Sequence, residues 1–233
     1  MSQTSTLHAV VLVRREVGEA DRLIRIFSRE QGGLWVRAKG VRRAGAKLAG
    51  ALEPLSTIRV ECVVGRSVSV VTGARLQESY QGIMDDYDAL VCAQSLLELT
   101  DRCFVDASAE PTWYDWLITA LRGLDHPANP GQIVRIWVAS LAHYLVLAGL
   151  SPEFPASSDA LRLNVPDGRF GLETGEVVSA SARKLWRVCS SSPLEQILRI
   201  TGADEAFLEL KPVIQHFWHY QTGVPRLRSQ TLS

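Results

Sequence analysis

The chain has 233 residues, enough for one large or two small domains. Hydrophobic residues make up 46% and charged residues 21% of it, so it can bury a core, and disorder as the main state is excluded. The formal net charge of zero conceals an asymmetry: residues 1–79 hold 13 Lys and Arg against 7 Asp and Glu, and residues 80–233 hold 12 against 18. A basic first part and an acidic second part predict two modules with different partners.

The cysteines and the most apolar stretch indicate the cellular compartment in which the protein is expected. Four cysteines lie far apart without a C-x-x-C pair, which predicts a reducing cytosol and hence a cytoplasmic protein. The first residues lack the basic and apolar regions of a signal peptide. Residues 133–150 are strongly apolar, but Arg135 and His143 interrupt them, so we expect a buried core helix and no membrane association.

Residues 1–80 have the pattern of short strands. In residues 34–41 Leu34, Val36 and Ala38 alternate with polar or aromatic side chains, and glycine-containing turns separate the runs. Five strands in so short a segment predict a closed five-stranded barrel, because closure removes exposed sheet edges. One face of the last strand is expected to hold Val68, Val70, Thr72, Ala74 and Leu76.

After Tyr80 the hydrophobic period becomes helical, so residues 81–233 are expected to form an all-α domain. Prolines and glycines interrupt this rhythm in residues 151–180, which predicts a turn-rich insert. The expected helices lie near residues 90–101, 113–124, 133–150, 181–189, 194–200 and 204–220.

The basic residues of the first module indicate binding to the phosphate backbone of nucleic acid. Residues 31–52 hold five Lys and Arg and no acid. Small barrels bind single strands through charged grooves and aromatic stacking, and with only Trp35 and Phe27 available before Tyr80 we expect contacts to the backbone and not to base sequence. Two alternatives stay open: the charges solvate the barrel, or they bind an acidic protein. The candidate nucleic-acid-binding residues are Arg14, Arg15, Arg22, Arg25, Trp35, Arg37, Lys39, Arg42, Arg43, Lys47 and Arg66.

Catalytic and cofactor motifs do not occur in the sequence. It has no phosphate-binding glycine loop, no H-E-x-x-H and no G-x-S-x-G, so we expect a binding protein without catalytic residues, metal or cofactor. We interpret His216 and His219 as a packed or surface pair and His143 as a core residue. The acidic group Asp85, Asp86 and Asp88 is expected to favour a helix N-terminus.

Three short motifs carry a resemblance to a known family. They are residues 18–23 (GEADRL), 38–43 (AKGVRR) and 50–55 (GALEPL), and their order and spacing resemble the bacterial RecO family of recombination and repair mediators. The resemblance implies an N-terminal OB-fold and a helical C-terminal domain. It also implies binding and annealing of single- and double-stranded DNA, with RecR as a partner and with help in loading RecA onto strands coated by single-stranded DNA-binding protein.

One departure from the family concerns zinc. Many members carry two C-x-x-C pairs after the long central helix, whereas this chain has serine and alanine at those positions, which cannot supply thiolates. We therefore expect the insert to fold without metal, held by packing of Phe154, Phe170 and Leu172. The positions that correspond to the two pairs are Ser157, Ala160, Ser179 and Ala182.

The resemblance also implies that the helical domain receives the acidic C-terminal tail of the single-stranded DNA-binding protein. Arg135 and Trp137 are the candidate residues, because a guanidinium binds a carboxylate and an apolar pocket holds an aromatic anchor. The alternative for Arg135 is a structural ion pair with Glu98 or Asp101. Two rival functions remain open: an adaptor for acidic tails that does not touch nucleic acid, and an RNA-directed barrel protein.

Overall fold

A computed structural model describes residues 4–43, 48–63, 68–104, 108–129, 131–155, 159, 161–224 and 227. The chain divides into two compact units, residues 1–118 and 119–233. The first unit extends beyond the last barrel strand, so the domain boundary after residue 80 stays a prediction.

The first unit contains a closed barrel of five strands, which confirms the predicted OB-fold. The strands follow the order β1-β2-β3-β5-β4, and β1 closes the barrel by pairing with both β2 and β4. All pairs are antiparallel except β3 with β5. The strands are β1 (Thr4–Val17), β2 (Asp21–Ser28), β3 (Gly32–Ala38), β4 (Ser56–Val63) and β5 (Ser69–Ser79).

Alternation along the strands builds the barrel core. Ile24 and Ile26 of β2 and Val36 of β3 are fully buried, while Arg37, one residue further along β3, is exposed. A short 3-10 turn, Ala49–Leu52, adds Leu52 to this core. The period of two read from the sequence therefore identifies the inward faces of these strands.

The inward face predicted for β5 is wrong in the first half of the strand, and Leu76 is exposed although it lies opposite the buried Ile58. Thr72 and Gln77 are extra residues of β5 in the ladder with β4, as in β-bulges, so the alternation changes phase. Val71 joins the core in place of its neighbours, and Leu76 is 40% exposed.

Helices begin directly after the barrel. The first is short and ends at Asp85, and Asp86 then caps the second helix by accepting a hydrogen bond from the Ala89 amide at 2.9 Å. This confirms the predicted role at a helix N-terminus for Asp86 and for Asp88 in the first turn, whereas Asp85 ends the preceding helix. The helices are α1 (Gln81–Asp85), α2 (Tyr87–Cys103), α3 (Pro111–Asp125), α4 (Gly131–Leu147), α5 (Ala180–Ser191), α6 (Leu194–Leu198) and α7 (Asp204–Thr222).

Helix α4 is the centre of the second unit. Ile136, Val138 and Leu141 are fully buried, and α5, α6 and α7 pack against the helix. The prediction of a buried core helix is thus confirmed. Within the described part of the chain, no helix combines the length and apolar character that crossing a bilayer requires.

The insert predicted as turn-rich contains a small sheet. Its strands are β6 (Leu161–Asn164), β7 (Arg169–Gly171) and β8 (Glu176–Val178), in the order β7-β6-β8. Phe154 and Phe170 stack with their ring centroids 6.0 Å apart, and both meet the edge of the fully buried Trp186 of α5. The expected contribution of Leu172 is wrong, because that residue is 76% exposed.

Candidate nucleic-acid interface

The first two family-like motifs meet at one end of the barrel. Asp21 accepts hydrogen bonds from the amide of Gly40 at 2.8 Å and from Nε of Arg37 at 2.9 Å. These bonds hold the pKa of Asp21 below its ordinary value. Gly40 itself has φ of +67°, a conformation that favours glycine. The motif residues therefore fix the loop that follows β3.

Three further arginines form ion pairs with carboxylates at this end of the barrel. Glu53, from the third motif, accepts from Arg14 and, at 3.0 Å, from Arg22. Arg42 pairs with Glu16 at 3.1 Å, and its amide donates to the Ala20 carbonyl at 3.0 Å. The three motifs thus converge in space, and much of their charge is neutralised within the barrel.

Arg25 forms an ion pair in which its own side chain is buried. Its side chain is only 5% exposed, and its Nε donates to Asp101 of α2 at 2.8 Å. Its guanidinium also lies 5.8 Å from the ring centroid of Trp35. A phosphate would have to displace Asp101 from a largely desolvated position, so this geometry favours a structural role for Arg25.

Three predicted cations remain exposed and, among the described residues, form no ion pair with a carboxylate: Arg15, Lys39 and Arg43, of which Lys39 interacts with Asp21 at longer range. Arg15 lies over Trp35, with 5.1 Å between its guanidinium carbon and the ring centroid. The barrel register places Arg15 opposite Leu23, and Leu23 opposite Arg37. We call the outer surface formed by Arg15, Trp35, Arg37, Lys39 and Arg43 the cationic face.

The cationic face is better suited to binding phosphate through its charges than to stacking a base on its aromatic ring. Trp35 is half-buried, and a guanidinium already lies over its ring, so a base that stacks there must displace Arg15. Arg37 is 45% exposed despite its bond to Asp21. The face therefore suits contacts to phosphate. Of the other candidates, Lys47 and Arg66 lie outside the described residues.

Two exposed arginines of the barrel were absent from the predicted set. Arg59 of β4 and Arg75 of β5 are direct partners across the ladder. The signal for Arg59 was available in the sequence, because Ile58 and Val60 point inward and a residue between them points outward.

In the helical region, the structure pairs Arg135 with a different acid from those expected. Its guanidinium, 7% exposed, donates to Asp204 at 2.8 Å and to the Ile200 carbonyl, and it lies 5.2 Å from the centroid of the Phe207 ring. The proposed pairing with Glu98 or Asp101 is wrong: those acids bind Arg102 and Arg25. Trp137 is 5% exposed.

Of the positions aligned with the family's cysteine pairs, Ser179 caps a helix in this chain. Ser179 caps α5, with its hydroxyl accepting from the Ala182 amide at 3.1 Å and donating to Glu209 at 2.7 Å. Ser157 and Ala160 lie outside the described residues. Among the residues that the structure describes, no three His, Cys, Asp or Glu side chains are grouped as a metal site would require.

The histidines have separate surroundings. His216 pairs with Glu176 of β8, and Nδ1 of His219 lies 3.0 Å from the Val224 carbonyl. Burial lowers the pKa of His143 to about 4, so this side chain is neutral near pH 7. The two histidines of α7 thus serve separate local contacts in the described structure.

A closed five-stranded barrel with a cationic outer face, followed by a helical region, defines a class of protein: an OB-fold barrel joined to a helical part. Within that class, the chain belongs to the recombination protein O family. The family model for the N-terminal part matches residues 1–80, and the model for the C-terminal part matches residues 84–231.

Two relatives, each named DNA repair protein RecO, illustrate the similarity. The protein from Cutibacterium acnes is 30% identical over 165 residues, which cover 68% of this chain and 65% of the relative, slightly under two thirds of its length. The protein from Synechocystis is 27% identical over 216 residues, covering 90% of this chain and 78% of the relative. The names place the family in DNA repair and recombination.

Proposed function

We propose that this chain is a DNA-binding recombination mediator, and that its cationic face holds the phosphate backbone of single- and double-stranded DNA. The observation that carries the proposal is the set of exposed cations without carboxylate partners, Arg15, Lys39 and Arg43, at the end of the barrel where the family-like motifs meet. DNA phosphates would supply the negative charge that no carboxylate supplies there, and their neutralisation would release the counterions of the DNA. Such binding places the chain with the nucleoid in the cytoplasm.

The proposed mechanism is charge screening. Two complementary strands repel each other, and a protein that neutralises phosphates on both lowers this repulsion, so pairing becomes faster. The same contacts would help to hand a strand coated by single-stranded DNA-binding protein to RecA, with RecR as a partner. This activity needs no nucleophile, general base or cofactor.

A salt titration of the full chain on labelled DNA tests the proposal. With about five phosphates contacted, we expect the logarithm of the affinity for duplex DNA to fall with the logarithm of salt at a slope near −4. Binding to an unrelated sequence should show the same slope. Affinity that is absent at low salt, or is independent of salt, contradicts the proposal and favours the adaptor function.

The proposed second partner is the acidic tail of the single-stranded DNA-binding protein. Arg135 is occupied by Asp204, which is itself 64% exposed, so a carboxylate from the tail would have to replace Asp204. An Asp204→Asn variant should then bind a tail peptide more tightly than the unmodified chain does. Equal or weaker binding by a folded variant removes Arg135 from the partner site.

A further inference from the structure

Arg59 and Arg75 form a like-charged pair on the outer surface of the barrel. The register of β4 and β5 places them directly opposite each other, and both are exposed. Neither guanidinium has an ion-pair or hydrogen-bond partner among the described residues. Like charges directly opposite each other destabilise a sheet. An anion that lies between the two guanidinium groups would remove this repulsion.

Acids near the pair do not neutralise it. Glu61 lies on the same face of β4 opposite Gly73, with its carboxylate close to that glycine, and Glu78 lies opposite Thr57 in the next outward row. Neither acid forms an ion pair with Arg59 or Arg75 among the described contacts. His8 of β1, opposite Arg59, pairs with Glu30 at 2.8 Å. By contrast, six other arginines within residues 1–80 have carboxylate partners: Arg14, Arg22, Arg25, Arg29, Arg37 and Arg42.

The pair is well separated from the cationic face. The row of His8, Arg59 and Arg75 crosses the N-terminal half of β1, whereas Arg15 lies in its C-terminal half. Seven positions along β1 correspond to about 23 Å of strand. Arg37 of the cationic face lies opposite Val70 of β5, five positions or about 17 Å of strand from Arg75. Both lengths are at least twice the Debye length of about 8 Å at physiological ionic strength. The two groups of cations therefore attract polyanions independently.

We propose that Arg59 and Arg75 form a second phosphate-binding site, so that one barrel holds a second DNA strand while the cationic face holds the first. The proposal rests on the DNA-binding function above. Guanidinium groups bind phosphate in a bidentate manner. The neighbours of the pair on this face include Thr6, His8 and Glu61, which are polar, and the cationic face of the same barrel already suits phosphate, so nucleic acid is the favoured ligand. Arginine clusters also bind acidic peptides, so an acidic protein is an outcome of the test.

The test uses the full chain and two non-complementary single strands that carry a donor and an acceptor fluorophore. Energy transfer between them reports a complex that contains both strands. Annealing of complementary strands is measured in parallel. The Arg59→Gln/Arg75→Gln variant removes the charge of the second site, and its unfolding midpoint should equal or exceed that of the unmodified chain because the repulsion disappears.

We expect the double variant to bind its first strand within about twofold of the unmodified affinity, while the affinity for the second strand falls at least tenfold. The salt slope of the second binding step should become shallower by about 1.4, since two single-strand contacts are lost. Annealing should slow in proportion. Unchanged annealing and unchanged energy transfer overturn the second site, whereas failure of the unmodified chain to bind any DNA overturns the proposed function itself.

Glu61→Gln provides an independent check that leaves both arginines in place. Removing this neighbouring negative charge should raise the affinity for the second strand and leave the first step unchanged. No increase contradicts the proposal. If the double variant instead loses only binding to poly-glutamate, used as a probe of acidic protein, the site serves a protein partner and the DNA assignment is wrong.

Discussion

Two groups of basic residues in the barrel look alike in the sequence and differ in the structure. The paired arginines are bound to carboxylates, and the unpaired cations have no such partner among the described residues. The paired arginines are Arg14, Arg22, Arg25, Arg37 and Arg42, and the unpaired cations are Arg15, Lys39, Arg43, Arg59 and Arg75. A count of charges therefore overstates the surface available to a polyanion, because part of the charge stabilises the barrel.

The largest effect on stability is expected at the pair of Arg25 and Asp101. An Asp101→Asn substitution leaves a buried guanidinium without its counter-charge. Asp101 is 33% exposed, so water compensates in part, and we expect a loss of about 2 kcal/mol in the free energy of unfolding. Chemical denaturation measures it. A loss below about 0.5 kcal/mol would place Arg25 among the residues available to ligands.

A smaller effect is expected at Glu53, which bridges Arg14 and Arg22. These groups are partly exposed, so Glu53→Gln should cost about 1 kcal/mol. Glu19→Gln is the matched control, because Glu19 is an exposed acid of the same region without a partner among the described residues. If both variants unfold at the same denaturant concentration, the bridge contributes no stability.

The smallest effect is expected in how stability depends on pH, through Asp21. The amide of Gly40 and the guanidinium of Arg37 lower the pKa of Asp21 from its ordinary value of 3.8. Its contribution to stability is therefore present above pH 3.8 and is lost as the pH falls through the lower pKa of the folded state. The unfolding temperature of the unmodified chain should fall more steeply between pH 4 and pH 2 than that of Asp21→Asn. Parallel curves would remove this role for Asp21.

The sequence predicted the barrel and the helices because both depend on local periodicity. Leu34, Val36 and Ala38 lie on the inward side of β3 as expected. The ion pairs depend on residues distant in the chain: Arg25 and Asp101 are 76 positions apart. No local pattern of charges distinguishes an arginine that will meet such an acid from one that will not.

The other differences also arise from tertiary structure. The bulge at Thr72 brings Val71 into the core, although simple alternation placed Val70 and Thr72 inward. In the insert, Trp186 from α5 joins Phe154 and Phe170, whereas Leu172 stays exposed. Aromatic residues from a neighbouring helix cannot be assigned to a cluster from the insert's own sequence.

The most direct test compares the salt dependence of single-stranded DNA binding for two matched triple variants. One removes unpaired charges, Arg15→Gln/Lys39→Gln/Arg43→Gln, and the other removes paired charges outside the cationic face, Arg14→Gln/Arg22→Gln/Arg42→Gln. With about five contacts the unmodified chain should show a slope near −3.5, which the first variant should reduce to about −1.4. The second should change the slope by less than about 1. Equal changes in the two variants, or a larger change in the second, would contradict the division between stabilising and DNA-binding cations.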